Sequence, residues 1–152
     1  MGNIKGKIAL ITGASSGIGE KTVRAMYEAG VRVICSARRA KRLEKLVVEL
    51  GKGAIALELD VTSERSIGTL LDRLPKEWRD IDILVNNAGH DIGGRRLFHE
   101  GTAQEWSATI ETNVIGLMRV TRAVLEVMVR RDSGHIVNIG SIAGIQTSPL
   151  CA

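Results

Sequence analysis

Short apolar runs alternate along this chain with longer segments in which apolar residues recur every three or four positions. The runs at residues 7–12, 32–36, 54–59, 82–86 and 135–139 are apolar almost throughout. Strands of this kind are typical of a parallel sheet that is covered on both faces. The pattern therefore predicts five buried strands.

Helical spacing fills the gaps between these runs. Two segments have apolar residues at i, i+3, i+4 and i+7: Leu43, Leu46, Val47 and Leu50, then Ile67, Leu70, Leu71 and Leu74, where Pro75 predicts a break. A first helix follows the glycine-rich turn after the first strand.

A long helix is predicted from Ala103 to about Arg130. Thr102 and Glu105 form a capping box at its start. Its predicted buried stripe consists of Trp106, Ile110, Val114 and Leu117.

The alternation of strand and helix predicts the fold class. Right-handed crossovers place helices on both faces of such a sheet. We expect one α/β domain over residues 1–152, a Rossmann-type doubly wound parallel sheet whose ligands bind at the carboxyl ends of the strands.

Composition narrows the classes of function. The chain has 152 residues, 44% of them hydrophobic, and no run near the roughly 20 apolar residues of a membrane span. A basic start followed by an apolar stretch, typical of a secretory signal, is absent, and two cysteines indicate no disulfide framework. We expect a cytoplasmic protein that binds no membrane.

The net charge of +4 raises the alternative of nucleic-acid binding. Much of the excess is a short cluster at residues 38–45, which is too local to follow a duplex backbone. Only 3% of the residues are aromatic, so base-stacking platforms are not expected either. We predict no nucleic-acid partner.

The strongest chemical signal is the sequence TGASSGIG at residues 12–19, between the first strand and the first helix. A diphosphate needs backbone N–H groups and the positive end of a helix, and glycines allow its close approach. The glycine spacing is neither G-x-G-x-x-G nor a Walker loop. The predicted cofactor contacts are Gly13, Ser15, Ser16, Gly17, Ile18 and Gly19.

The end of the second strand predicts which dinucleotide binds. A free ribose 2′-hydroxyl is usually held by an acidic residue about 20 positions after the turn, but Ala37 stands there. Arg38 and Arg39 follow, and guanidinium groups pair with phosphate. The sequence therefore favours an adenosine 2′-phosphate, hence NADP(H), although both arginines being merely solvated remains the alternative.

These residues resemble the short-chain dehydrogenases/reductases, and the resemblance covers the whole chain as the first half or more of a family member. Beyond the T-G-x-x-x-G-x-G turn, four further motifs match in order. They are Asp60-Val61, the NNAG sequence at residues 86–89, Asn113 on the long helix, and NIGS at residues 138–141 with Ala143-Gly144 behind it.

The resemblance implies roles for these positions. Asp60 and Val61 would contact adenine, and Asn87, Ala88 and Gly89 would line the cofactor cleft. Asn113 would orient a proton-relay water, and Ser141 would bind the substrate oxygen. From the residues alone, Asn113 is expected on or near the buried side of its helix, and Ser141 could be a simple strand-end serine.

The chain departs from the family pattern in one respect. The catalytic pair that the family has, Tyr-x-x-x-Lys, is missing, and the single tyrosine, Tyr27, lies on the first helix. A positioned general acid contributes about 10²–10⁴-fold in rate. We therefore expect a fragment that is inactive alone and lacks roughly another 80–100 residues.

Segments 74–78, 81–84 and 134–141 are most similar to the NADP-dependent 3-hydroxy acid (serine) dehydrogenases within the family. That resemblance implies a small hydroxy acid or carbonyl substrate. A general carbonyl or 3-oxoacyl-thioester reductase and a non-catalytic dinucleotide-binding module remain alternatives. Arg95 and Arg96 could meet a carboxylate or be solvated.

The family also implies a homo-oligomer, a dimer or a tetramer. Val120, Val124 and Val127 on the long helix are candidates for part of its interface.

Overall fold

The structure is a computed structural model that describes residues 4–91, 94 and 96–146. Its centre is a five-stranded sheet in the order β3-β2-β1-β4-β5, with every neighbouring pair parallel. The strands are β1 (Ile8–Thr12), β2 (Arg32–Ala37), β3 (Ala54–Glu58), β4 (Ile83–Asn86) and β5 (His135–Asn138). Each predicted strand is confirmed to within one residue at either end.

Helices cover both faces of the sheet. They are α1 (Gly17–Glu28), α2 (Ala40–Leu50), α3 (Glu64–Gly68), α4 (Ala103–Ile110) and α5 (Leu117–Arg130). Short 3₁₀ turns lie at Lys76–Trp78, Phe98–Glu100 and Ile142–Gly144.

Successive side chains of β1 point to opposite faces of the sheet, so they pack into two different hydrophobic cores. Leu10 packs on one face with residues of α3 and α5, among them Ile67 and Val124. Ala9 and Ile11 pack on the other face with residues of α1 and α2. The predicted doubly wound α/β fold is confirmed, since helices pack on both faces of the parallel sheet and neither face is open to solvent.

Cys35 behaves as a small core hydrophobe. It is fully buried on β2, and burial raises the pKa of its thiol to about 12. A thiol with such a pKa stays protonated at neutral pH and is a poor nucleophile.

Asp82 joins three elements at the amino end of the sheet. Its Oδ2 accepts the Ile8 N–H at 2.9 Å, and its Oδ1 accepts from Arg131 Nη2 at 2.9 Å and Lys7 Nζ at 3.3 Å. Burial acts to raise the pKa of the Asp82 carboxyl, but the Ile8, Arg131 and Lys7 donors outweigh it and lower that pKa.

The third predicted helix is shorter than its apolar spacing indicates. α3 ends at Gly68, and turns carry the chain to Pro75, while Leu70 and Leu74 remain buried. Gly68 and Thr69 are both weak helix formers, so the core contacts are kept without regular helix.

The long helix is present but is not regular. A π-helical segment, Glu111–Gly116, separates α4 from α5. The predicted buried stripe is wrong, since Ile110 is 54% exposed and Val114 43% exposed. A π turn contains an extra residue per hydrogen bond, which rotates the preceding helix face away from the sheet.

The residues of this helix that were predicted to form an interface are also not on its exposed face. Val120, Val124 and Val127 are buried in the molecule, so they contribute no free surface. The apolar residues that α4, the π segment and α5 leave exposed are Ile110, Val114, Met118, Leu125 and Val129, which we call the apolar stripe. Among the described residues, no helix is both long enough and apolar enough to span a membrane.

Candidate cofactor-binding site

A cleft of about 760 Å³ lies at the carboxyl edge of the sheet. It brings together sequence-predicted residues from four strand ends: Gly13, Ser15, Ser16, Ile18, Arg38, Arg39, Asp60, Val61, Asn87, Ala88 and Gly89. Gly17, Gly19, Asn113 and Ser141 are not among the residues that line it. The arrangement places most of the predicted cofactor contacts around one cavity.

Each of the three glycines in the turn is needed for a different physical reason. Gly13 and Gly17 have φ values of +68° and +59°, a region that L side chains rarely adopt. A Cβ on Gly13 would lie 2.8 Å from Asn87 Nδ2, whereas a Cβ on Gly17 would meet nothing within 4 Å. A Cβ on Gly19 would overlap the Gly13 carbonyl oxygen, so Gly19 allows α1 to pack against the turn.

The amino end of α1 opens on this cleft. The first N–H groups of a helix have no intrahelical partner and carry partial positive charge, which suits an anion. The hydroxyl of Ser16, the N-cap residue, makes no capping hydrogen bond, and Ser16 is exposed while Ser15 is buried. These groups are hydrogen-bond donors of the kind that an anion such as a diphosphate needs.

Arg39 is fastened to the glycine turn. Its Nε donates to Ser15 Oγ at 3.1 Å and its Nη2 donates to Ser16 Oγ at 2.7 Å. The guanidinium is thereby held between β2 and the glycine turn. Sequence spacing alone gave no sign of this contact.

Arg38 is exposed, and within the described part of the chain its guanidinium makes no hydrogen bond. Its charge acts on Asp60 across the cleft. Partial burial acts to raise the pKa of Asp60, but the Thr62 N–H and hydroxyl, both bound to Asp60 Oδ1, and the Arg38 charge lower it. Arg38 therefore has donors free for an anionic group of a ligand.

Thr12 connects the turn to β4 and was given no role of its own from the sequence. Its buried Oγ1 accepts the N–H groups of Asn87 and Ala88, each at 2.9 Å. Asn87 Nδ2 in turn donates to the Thr12 carbonyl at 2.9 Å. A hydroxyl residue at the end of an otherwise apolar strand is the sequence feature that could have revealed this role.

Asn113 lies in the π-helical segment and is exposed, not on the buried side as predicted. Its Oδ1 accepts the His90 N–H and its Nδ2 donates to the His90 carbonyl, both at 3.0 Å. These bonds satisfy the amide without burial and fix the backbone beside Gly89. His90 itself lines the cleft and was missed by sequence reasoning.

Ser141 follows β5 and is exposed. Its Oγ accepts the Ala143 N–H at 3.2 Å and so caps the short turn Ile142–Gly144. The predicted position at a strand's carboxyl end is confirmed. Its predicted contact with substrate stays a prediction.

Arg96 is engaged within the protein, with its guanidinium paired to a carboxylate and lying over an aromatic ring. Its Nη2 lies 2.5 Å from Glu105 Oε1, and its guanidinium lies over the Trp106 ring at 5.4 Å. Arg96 and the Thr102 cap lower the pKa of Glu105 to about 2. Arg95, the other predicted candidate, lies outside the described residues.

A parallel α/β sheet with a glycine turn opening a helix at its carboxyl edge defines a dinucleotide-binding type of domain. Within that class the assignment is specific. The chain belongs to the short chain dehydrogenase family, whose model matches residues 7–152.

Individual relatives agree with this assignment. The NADP-dependent 3-hydroxy acid dehydrogenase YdfG of Salmonella typhi is 46% identical over 137 residues, which are 90% of this chain and 55% of that protein. The YdfG of Escherichia coli K12 gives the same values. The chain thus spans about half the length of the curated relatives it matches.

Solved structures match as well. The closed form of serine dehydrogenase complexed with NADP⁺ has a TM-score of 0.91 and 44% identity, covering 94% of this chain and 57% of that one. The actinorhodin polyketide ketoreductase with NADPH has a TM-score of 0.87 and 35% identity, covering 99% of this chain and 59% of that one.

Proposed function

We propose that this chain binds NADP(H) and belongs to an oxidoreductase that interconverts a secondary alcohol and a carbonyl, with a small 3-hydroxy acid such as serine as substrate. The observation that carries the cofactor assignment is the pair of arginines beside the glycine turn, one tied to the turn serines and one with free donors. The names of the 46%-identical relatives support the substrate class.

The residues fit such a cofactor. Gly17 leaves open space where a diphosphate approaches, and the α1 amino end with Ser15 and Ser16 supplies donors. Arg38 and Arg39 supply positive charge for a 2′-phosphate. Asp60 and Val61, beside Arg38, line the adenine end, and the bound nicotinamide would supply the hydride chemistry.

The reactive end would lie on the opposite side of the turn, towards β4 and β5. We assign Asn87, Ala88 and Gly89 to the cleft wall, Asn113 to positioning and Ser141 to the substrate oxygen. Carbonyl reduction also needs a proton on oxygen, and a positioned general acid is worth about 10²–10⁴-fold. The 152-residue sequence contains no Tyr-x-x-x-Lys pair, so we expect turnover to require that pair in addition.

Calorimetric titration of NADPH and NADH tests the cofactor assignment without any turnover. Arg38→Ala removes charge-assisted hydrogen bonds, each worth about 1.5–3 kcal/mol, so NADPH binding should weaken about 10–100-fold. NADH binding should change less than about twofold, because it has no 2′-phosphate. Arg42→Ala is the matched control, since Arg42 belongs to the same basic cluster but not to the cleft lining.

Equal losses for both cofactors would contradict the role of Arg38. If well-folded protein had no affinity for NADPH, the assignment to an NADP(H) enzyme would fail.

Substrate class is tested with the full-length protein. Serine and 3-hydroxyisobutyrate should be oxidised with NADP⁺ faster than simple alcohols. A preference for an acetoacetyl thioester would instead favour the ketoreductase alternative, which the 35%-identical polyketide ketoreductase supports.

We also propose that the apolar stripe binds a second copy of the chain. At each end of the stripe two residues lie four positions apart, so an antiparallel copy would pair Ile110 with Val129 and Val114 with Leu125, with Met118 near the centre. Met118→Glu should lower the mass measured by sedimentation, whereas Val48→Glu, at an exposed position of α2, should not. An unchanged mass for Met118→Glu would refute this interface.

A further inference from the structure

Three polar side chains meet where β4 and β5 end. Asn86 is 4% exposed, and its Nδ2 donates to Thr121 Oγ1 at 2.8 Å and to Asn138 Oδ1 at 2.9 Å. One buried amide thus joins β4, β5 and α5. We call these residues the amide cluster.

The cluster adds a side-chain link to the backbone pairing of β4 and β5. β5 has four residues and pairs with β4, and its side chains are half-buried or exposed. Asn138 lies directly opposite Asn86, and the next backbone bond, from Ile139 N–H to the Asn86 carbonyl at 2.9 Å, follows at once. Ser141 comes two residues later.

Thr121 anchors the cluster to the core. Its neighbours on α5, Val120 and Val124, are fully buried against the sheet. A rigid helix therefore fixes the Thr121 hydroxyl, and through Asn86 it fixes Asn138. On the other side, Asn86 is followed directly by Asn87, which lines the cofactor cleft.

We infer that the amide cluster is a positioning device that sets Ser141 relative to the cofactor cleft. It couples the strand that carries the cleft wall to the strand that carries the serine, so that the two move as one unit. This inference rests on the proposed function, in which Ser141 binds the substrate oxygen. Thr121, Asn86 and Asn138 act through Ser141 and are positioning residues.

Thr121→Val and Thr121→Ser in the full-length protein separate positioning from packing. Valine keeps the shape and removes the hydroxyl, whereas serine keeps the hydroxyl. We expect valine to lower kcat about tenfold or more, because displacements of about 1 Å cost up to about 10²-fold. NADPH affinity should change less than about twofold, and serine should restore kcat.

Asn138→Ala and Asn138→Asp form a second pair. Aspartate keeps an oxygen that accepts from Asn86 Nδ2, and position 138 is exposed enough to carry its charge. We expect alanine to lower kcat and aspartate to restore it. Thr69→Val, which removes an exposed hydroxyl on α3's last turn, should leave every parameter unchanged.

A readout without turnover keeps this inference separate from the proposed function. In Thr121→Val, the Ile139 amide should exchange with solvent about tenfold faster and the Ala143 amide, which is bonded to Ser141 Oγ, should shift its NMR resonance, while Leu10 stays protected. Unchanged Ile139 and Ala143 signals, or equal kcat losses for valine and serine, would overturn the inference. Normal NADPH binding with no turnover by the unmodified full-length protein would instead overturn the proposed activity.

Discussion

Replacing Thr12 by valine isolates the hydroxyl that joins β1 to the wall of the cleft. The substitution keeps the shape of a residue that is 1% exposed, so it creates no cavity. It removes the acceptor of the Asn87 and Ala88 N–H groups, which lie 2.9 Å from Thr12 Oγ1.

The magnitude follows from those two donors. A buried N–H left without a partner costs about 1–3 kcal/mol. Asn87 and Ala88 are half-buried, which favours the lower half of that range. With about 1–2 kcal/mol for each donor, we expect Thr12→Val to lower the free energy of unfolding by about 2–4 kcal/mol, which lowers Tm by roughly 4–16 °C for a chain of this size.

Urea unfolding followed by circular dichroism measures this difference at constant m-value. Thr12→Ser is the matched variant, because it keeps the hydroxyl and loses one methyl group, worth about 1 kcal/mol. Thr69→Val should change stability by less than about 0.5 kcal/mol. If valine at position 12 cost less than serine there, the hydroxyl would not be what holds β4 to the turn.

Two further variants test the packing and the charges. Gly116→Ala places a Cβ 2.8 Å from the Val61 carbonyl oxygen and should destabilise by about 1–3 kcal/mol in urea unfolding, whereas Gly68→Ala, with open space around it, should be neutral or stabilising. The pKa of Asp82 is lower in the folded protein than its unfolded value of about 3.9. Its carboxylate therefore stabilises the fold above about pH 4, and that contribution is lost as pH falls through the folded pKa. Asp82→Asn should lose less stability than the unmodified protein between pH 7 and pH 3, and parallel pH profiles would contradict the role of the Asp82 ion pairs.

The sheet and the turn were readable from the sequence because their determinants are local. A strand buried on both faces has to be apolar along its whole length, so β1, β2 and β4 are visible as uninterrupted runs. The conformation at Gly13 and Gly17 needs φ above zero, which few residues other than glycine adopt. These constraints act within a few residues, and they are recorded in the order of the amino acids.

The helical face that carries Asn113 was not readable. Regular spacing predicted Ile110 and Val114 as buried, but the π segment rotates them outward. Within this segment the backbone at Gly116 packs closely against the residues after β3, since a Cβ there would lie 2.8 Å from the Val61 carbonyl oxygen. A periodicity argument assumes 3.6 residues per turn throughout and fails where tertiary packing imposes another value.

What the sequence by itself determined is therefore the order of the elements, the glycine turn between β1 and α1 and the presence of two arginines after β2. Only the tertiary structure decided that Arg39 is bound to Ser15 and Ser16 while Arg38 keeps its donors free. It alone brought Asn86, Thr121 and Asn138 together, from positions 35 and 52 residues apart in the chain. Contacts of this kind depend on where strands and helices come to lie in space, and no local pattern encodes that.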